Sequence, residues 1–70
     1  MVKRFFIRKQ TNGFCVVAVL SNNQELIVES GALPYVKARF LYYVKDRTQL
    51  ESRVREVLAA DASDSTVHTA

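Results

Sequence analysis

Up to Glu29 the chain alternates short apolar runs with turn residues, and beyond Pro34 its apolar positions recur every three or four residues. The first pattern belongs to strands. Lys3–Lys9 is rich in Phe and Ile, Phe14–Leu20 is dominated by Val, and Glu25–Glu29 holds Leu26, Ile27 and Val28. β-branched and aromatic side chains suit a pleated, half-buried surface. Thr11-Asn12-Gly13 lies between the first two runs, and Asn-Gly is a strong hairpin signal because both residues accept the positive φ of a type I′ turn. Ser21-Asn22-Asn23-Gln24 makes the second connection, of ambiguous length. Strands joined by turns this short are expected to run antiparallel.

Ser30-Gly31 breaks the last strand, and Pro34 suits the first turn of a helix, where its missing N–H costs nothing. From there to Ala60 there is no further Gly or Pro. Val36, Phe40, Tyr43, Arg47, Leu50, Val54 and Val57 then form one stripe, with steps alternating between four and three. That is a helix face in need of burial, interrupted only by Arg47. Two readings stand: one continuous helix, which we prefer, or a second helix started by a capping box at Thr48-Gln49-Leu50-Glu51. The expected fold is α+β, a three-stranded antiparallel meander followed by one long or broken C-terminal helix, β-β-β-α. A single domain is expected over residues 1–60, with a small, polar, mobile tail over 61–70.

A loop of Asn12 and Gly13 would pair Thr11 with Phe14, Lys9 with Val16, Ile7 with Ala18 and Phe5 with Leu20. Directly opposed residues share a face. One face then carries Phe5, Ile7, Phe14, Val16, Ala18 and Leu20, a core for the helix to cover. The other carries Arg4, Phe6, Arg8, Cys15, Val17 and Val19. A sheet with one wet face should alternate apolar and polar residues, and Phe14–Leu20 does not alternate. Something must cover the second face: the end of the helix, a second copy, a partner, or the aliphatic stems of Arg4 and Arg8.

Charge sharpens this picture only a little. All ten Lys and Arg fall within residues 1–60 against five acids, a net +5 there, which favours acidic or polyanionic partners. With 70 residues and one cysteine, no internal disulfide supports the fold, and association is the expected supplement. A lone thiol suits a reducing compartment, and the longest apolar run has seven residues, so we expect a cytoplasmic chain without a membrane segment.

The search for chemistry is short. Cys15 sits in a strand and His68 in the tail, so no nucleophile–base pair or metal cluster is expected. Both glycines belong to turns, not to a phosphate cradle. No cofactor and no small-molecule substrate is expected, and the chain reads as no enzyme. It reads as a small regulatory module that occupies a surface of a protein partner, with a homodimer expected. Chains of this kind are often encoded by phages or mobile elements, which is an association only. The alternative is a basic nucleic-acid-binding module using the sheet face or the helix. The nominated partner surface is Arg4, Phe6, Arg8, Val17 and Val19, since Arg and aromatic groups give large, multidentate contacts. The second candidate is Tyr35, Arg39 and Tyr42, aromatics interleaved with bases on the helix.

Overall fold

In a computed structural model describing residues 1–69, with side chains through residue 60, three strands form one antiparallel sheet in the order β1-β2-β3. β1 is Val2–Gln10, β2 is Gly13–Leu20 and β3 is Glu25–Gly31. Two helices follow, α1 at Leu33–Lys45 and α2 at Arg47–Thr69. Both lie against the same face of the sheet, where Val16, Ala18, Leu20, Leu26 and Val28 meet Val36, Tyr43, Leu50 and Val54 in one core. The side chains of residues 61–70, where the tail was expected, lie outside the described residues.

The first hairpin corrects the expected register. Gln10 pairs with Gly13, so the loop is Thr11-Asn12, and Ile7 lies opposite Val16 instead of Ala18. Asn12 keeps a negative φ, which excludes the type I′ turn. Gly13 alone takes the positive φ, +150°, and a Cβ there would stand 2.6 Å from the carbonyl oxygen of Gly31. Sliding a two-residue loop by one position moves both strands, so each pairing shifts by two residues and the faces are preserved. Phe5, Ile7, Val16, Ala18 and Leu20 therefore still share the core side. Phe5 stacks on Phe40 of α1, with ring centroids 5.3 Å apart.

Each outer strand is bulged. The β1–β2 register shifts between Val2 and Arg4, which brings Val2 into the core opposite Leu20. The β2–β3 register shifts between Val16 and Val17, so that Leu26, Val28 and Glu29 are all buried despite their mixed parity. A bulge kinks a strand and re-aims its side chains. Beside each bulge an α2 arginine donates to a strand carbonyl: Arg47 Nη2 to Val2 O at 2.8 Å, and Arg53 Nε to Val28 O at 2.9 Å. Bulges and covering cations both blunt a sheet edge against further strand pairing.

The helical segment is broken, not continuous. Asp46 leaves helical geometry at φ −137° and ψ 91°, while its N–H still donates to Tyr42 O. Its Oδ1 accepts from the N–H of Thr48 at 3.1 Å, so Asp46 caps α2 and the Thr48 capping box is not formed. Glu51, free of that box, accepts from the N–H of Val2 at 3.0 Å. The apolar stripe survives the break: Val36, Tyr43, Leu50 and Val54 are fully buried, with Phe40 and Val57 packed beside them. Arg47, its one polar member, lays its guanidinium over the Phe5 ring.

Candidate functional site

Three places gather side chains that could do something: the outer face of the sheet, a buried charged cluster at the β3 bulge, and the outward face of α1.

On the outer sheet face, the five nominated residues do come together, though two of them lie underneath. Cys15, Val17 and Val19 are 0%, 1% and 4% exposed. Their cover comes from the chain itself. Arg8 reaches over central strand β2 and bonds Glu25 on β3 through Nη2 at 3.1 Å. Both Arg4 and Arg8 place their guanidinium carbon over the Phe6 ring, at 5.4 and 5.3 Å from its centroid. The aliphatic stems of these arginines therefore cover the valine surface. The face needs no second copy to be dry, and what it presents outward is Arg4, Phe6, Arg8 and Ile27.

The buried cluster was not anticipated from the sequence. Glu29, 7% exposed, accepts from Tyr35 Oη at 2.7 Å on Oε1 and from Tyr43 Oη on Oε2. The Nε atoms of Arg39 and Arg53 stand 3.5 and 3.4 Å from Oε2. Arg39 also donates from Nη2 to Tyr43 Oη at 3.1 Å. Burial pushes the Glu29 carboxyl upward, but the tyrosine hydrogen bonds and the two guanidinium charges outweigh it and hold its pKa below the ordinary value of 4.5. The Glu29 hydrogen bond raises Tyr35, while burial and then the same carboxylate raise Tyr43. The carboxylate therefore accepts from one tyrosine on each oxygen and faces two guanidinium groups. What it does is tie β3, α1 and α2 together. A cleft of about 250 Å³ lined by Ile27, Val28, Glu29, Ser30, Tyr35 and Arg53 opens beside it.

This cluster makes stability pH-dependent. Because the folded-state pKa of Glu29 is lowered, its contribution is complete above the unfolded value near 4.5 and is lost as pH falls through the folded value. The raised tyrosines give the opposite limb: their contribution is present below the unfolded value of 10.0 and is lost as pH rises through the folded values. We expect urea midpoints to fall on both acidification and strong alkalinisation. The acid limb should flatten in Glu29→Gln. An unchanged acid limb in that variant would show that other carboxylates set it.

The second nominated group divides in two. Tyr35 and Tyr42 are exposed, whereas Arg39 lies between the Tyr42 and Tyr43 rings, 4.8 and 5.1 Å from their centroids. The same helix turns a different face outward. Leu33, Leu41 and Val44 are 41%, 50% and 56% exposed, and with Lys37 they form a stripe at steps of four, four and three. Of the seven exposed large apolar residues among those described, five are on α1: Leu33, Tyr35, Leu41, Tyr42 and Val44. Sequence inspection missed this face because the buried stripe alone had accounted for the helical period.

The charges are distributed unevenly in space. Each of the five acids with described side chains is engaged internally: Glu25 by Arg8, Glu29 in the cluster, Asp46 as a cap, Glu51 by Val2 and Glu56 by Arg53. Arg4, Lys9, Lys37, Lys45 and Arg55 form no ion pair among the described residues. Among the described residues the side-chain charge left without an ion pair is therefore mainly basic, in keeping with the net +5 over residues 1–60. Among the described residues no group of three potential metal ligands converges, and no helix is long and apolar enough to cross a membrane. Compared with family models, curated proteins and solved structures, the chain matches none.

Proposed function

We propose that this chain is a non-catalytic binding module that docks on a protein partner through the outward face of α1. The observation that carries the reading is the concentration of exposed large apolar side chains on that one helix, Leu33, Leu41 and Val44 foremost. Leu33, Leu41 and Val44 share one side of the helix with Lys37 among them, and clustered exposed apolar residues mark an interaction surface more often than scattered ones do. The buried cluster supports the reading from behind. Glu29 ties Tyr35 and Tyr43 of α1 to β3, so the helix backbone is held in place on the sheet, which lowers the entropic cost of binding.

The outer sheet face supports the nucleic-acid reading less well. Phe6 is engaged by two guanidinium groups, and Arg8 is bonded to Glu25, so a base or phosphate would have to displace existing partners. The two surfaces separate in one experiment. A photo-crosslinking phenylalanine analogue is placed at position 41 or at position 6, and the cells that encode the chain are irradiated. Protein adducts are expected from position 41 and few from position 6. Adducts from position 6 alone, or adducts sensitive to nuclease, would overturn the reading in favour of the sheet face.

A further inference from the structure

Resting on the reading of α1 as the docking face, we propose that its occupant is an acidic amphipathic helix of another protein. The shape of the surface points to a helix. α1 is a 13-residue convex ridge about 20 Å long, and the regular complement of such a ridge is the groove between side-chain rows of a second helix. Its exposed stripe Leu33–Lys37–Leu41–Val44 has the spacing that a helical partner meets with its own i, i+3, i+4 apolar positions.

Charge points to acidity. α1 carries Lys37, Arg39 and Lys45 and no acidic residue. Lys37 and Lys45 lie one helical turn before and after Leu41, on the same side of the helix and about 12 Å apart along its axis, bracketing the apolar centre. Neither forms an ion pair among the described residues. A second copy packed here would set these lysines against their own equivalents, and like charges across an interface disfavour pairing. A helix with Asp or Glu flanking an apolar seam would neutralise both.

Peptide selection tests the proposal on the chain itself. A displayed library of random 20-residue peptides is panned against the full chain, and the enriched peptides are titrated against variants. Enriched peptides are expected to carry net negative charge and helical apolar spacing. Their affinity should fall at least about tenfold in Leu41→Asp, again in Val44→Asp, and about as much in Lys37→Glu with Lys45→Glu. All variants should keep native circular dichroism, since the altered side chains are exposed. Enriched peptides that depend on Leu41 yet are neutral or basic, and indifferent to the lysine reversal, would overturn this inference and leave the docking face standing. Peptides that bind Leu41→Asp like the parent, or a library that yields no binder, would overturn both. Leu41-dependent binding of phosphatidylglycerol vesicles or duplex DNA in place of peptides would also overturn both.

Discussion

Glu29→Ala is expected to lower the unfolding free energy by about 2–3 kcal/mol, chiefly the cost of leaving the buried Tyr43 hydroxyl without its acceptor, since the released Arg39 and Arg53 are 36% and 39% exposed and regain water. A chain of 70 residues has a total of about 4–10 kcal/mol at 0.05–0.15 kcal/mol per residue, so this variant should lose a large share of its stability. The cost comes mostly from what is left behind. Tyr43 is 1% exposed and would lose the acceptor for its hydroxyl, while Arg39 and Arg53 would face each other's surroundings without the carboxylate between them. Glu29→Gln keeps one acceptor oxygen and removes the charge, and should fall between the parent and the alanine variant. Urea titration at neutral pH followed by circular dichroism decides the matter. A Glu29→Ala midpoint within about 1 kcal/mol of the parent would mean that the helices are held by apolar packing alone.

The cluster shows where sequence reasoning stops. Strand parity puts Leu26 and Val28 on one face and Glu29 on the other, and that is how Glu29 reads along the chain: an ordinary surface acid. The bulge opposite Val16 and Val17 cancels the parity, and no residue in Leu26–Glu29 announces it, since no Gly or Pro is present there. The α+β order and the two sheet faces were legible for the opposite reason. Parity within β1 and β2 is insensitive to a two-residue shift in pairing, so a misplaced hairpin loop still sorts Phe5, Ile7 and Val16 from Arg4, Phe6 and Val17. The heptad-like stripe from Val36 to Val57 was legible through a break it did not reveal. Asp46 unwinds a single residue and caps the next helix, while the side chains on either side stay in phase with the core. The working surfaces were half legible. Arg4, Phe6 and Arg8 do share an exposed face, but the sequence could not show that Arg8 crosses to Glu25 and closes Val17 and Val19 beneath it.

Leu50→Ala should cost about 3–5 kcal/mol, whereas Leu41→Ala should stay within about 0.5 kcal/mol of the parent, although both remove the same side chain from a helix. Leu50 is 0% exposed and touches the core that Val16, Val28 and Val36 share; Leu41 is 50% exposed. The truncation at 50 loses the transfer energy of the buried methyl groups and leaves a cavity that β2 and α1 are too constrained to collapse into. Position matters further because Asp46 uncouples the two helices, so α2 cannot borrow order from α1 through a continuous backbone ladder. Its apolar attachment centres on Leu50 and Val54, with polar ties from Arg47 and Glu51 to Val2 and from Arg53 to Glu29 and Val28. Loss of Leu50 should therefore release α2 first, seen as accelerated amide exchange over residues 48–58 at urea concentrations where the β2 amides stay protected. The near-neutral Leu41 variant gives binding losses at that position their meaning, because a side chain that adds nothing to folding can be removed without disturbing the ridge behind it. The opposite ranking, with Leu41→Ala costly and Leu50→Ala mild, would rotate both helices relative to the sheet and sink the assignment of the docking face with it.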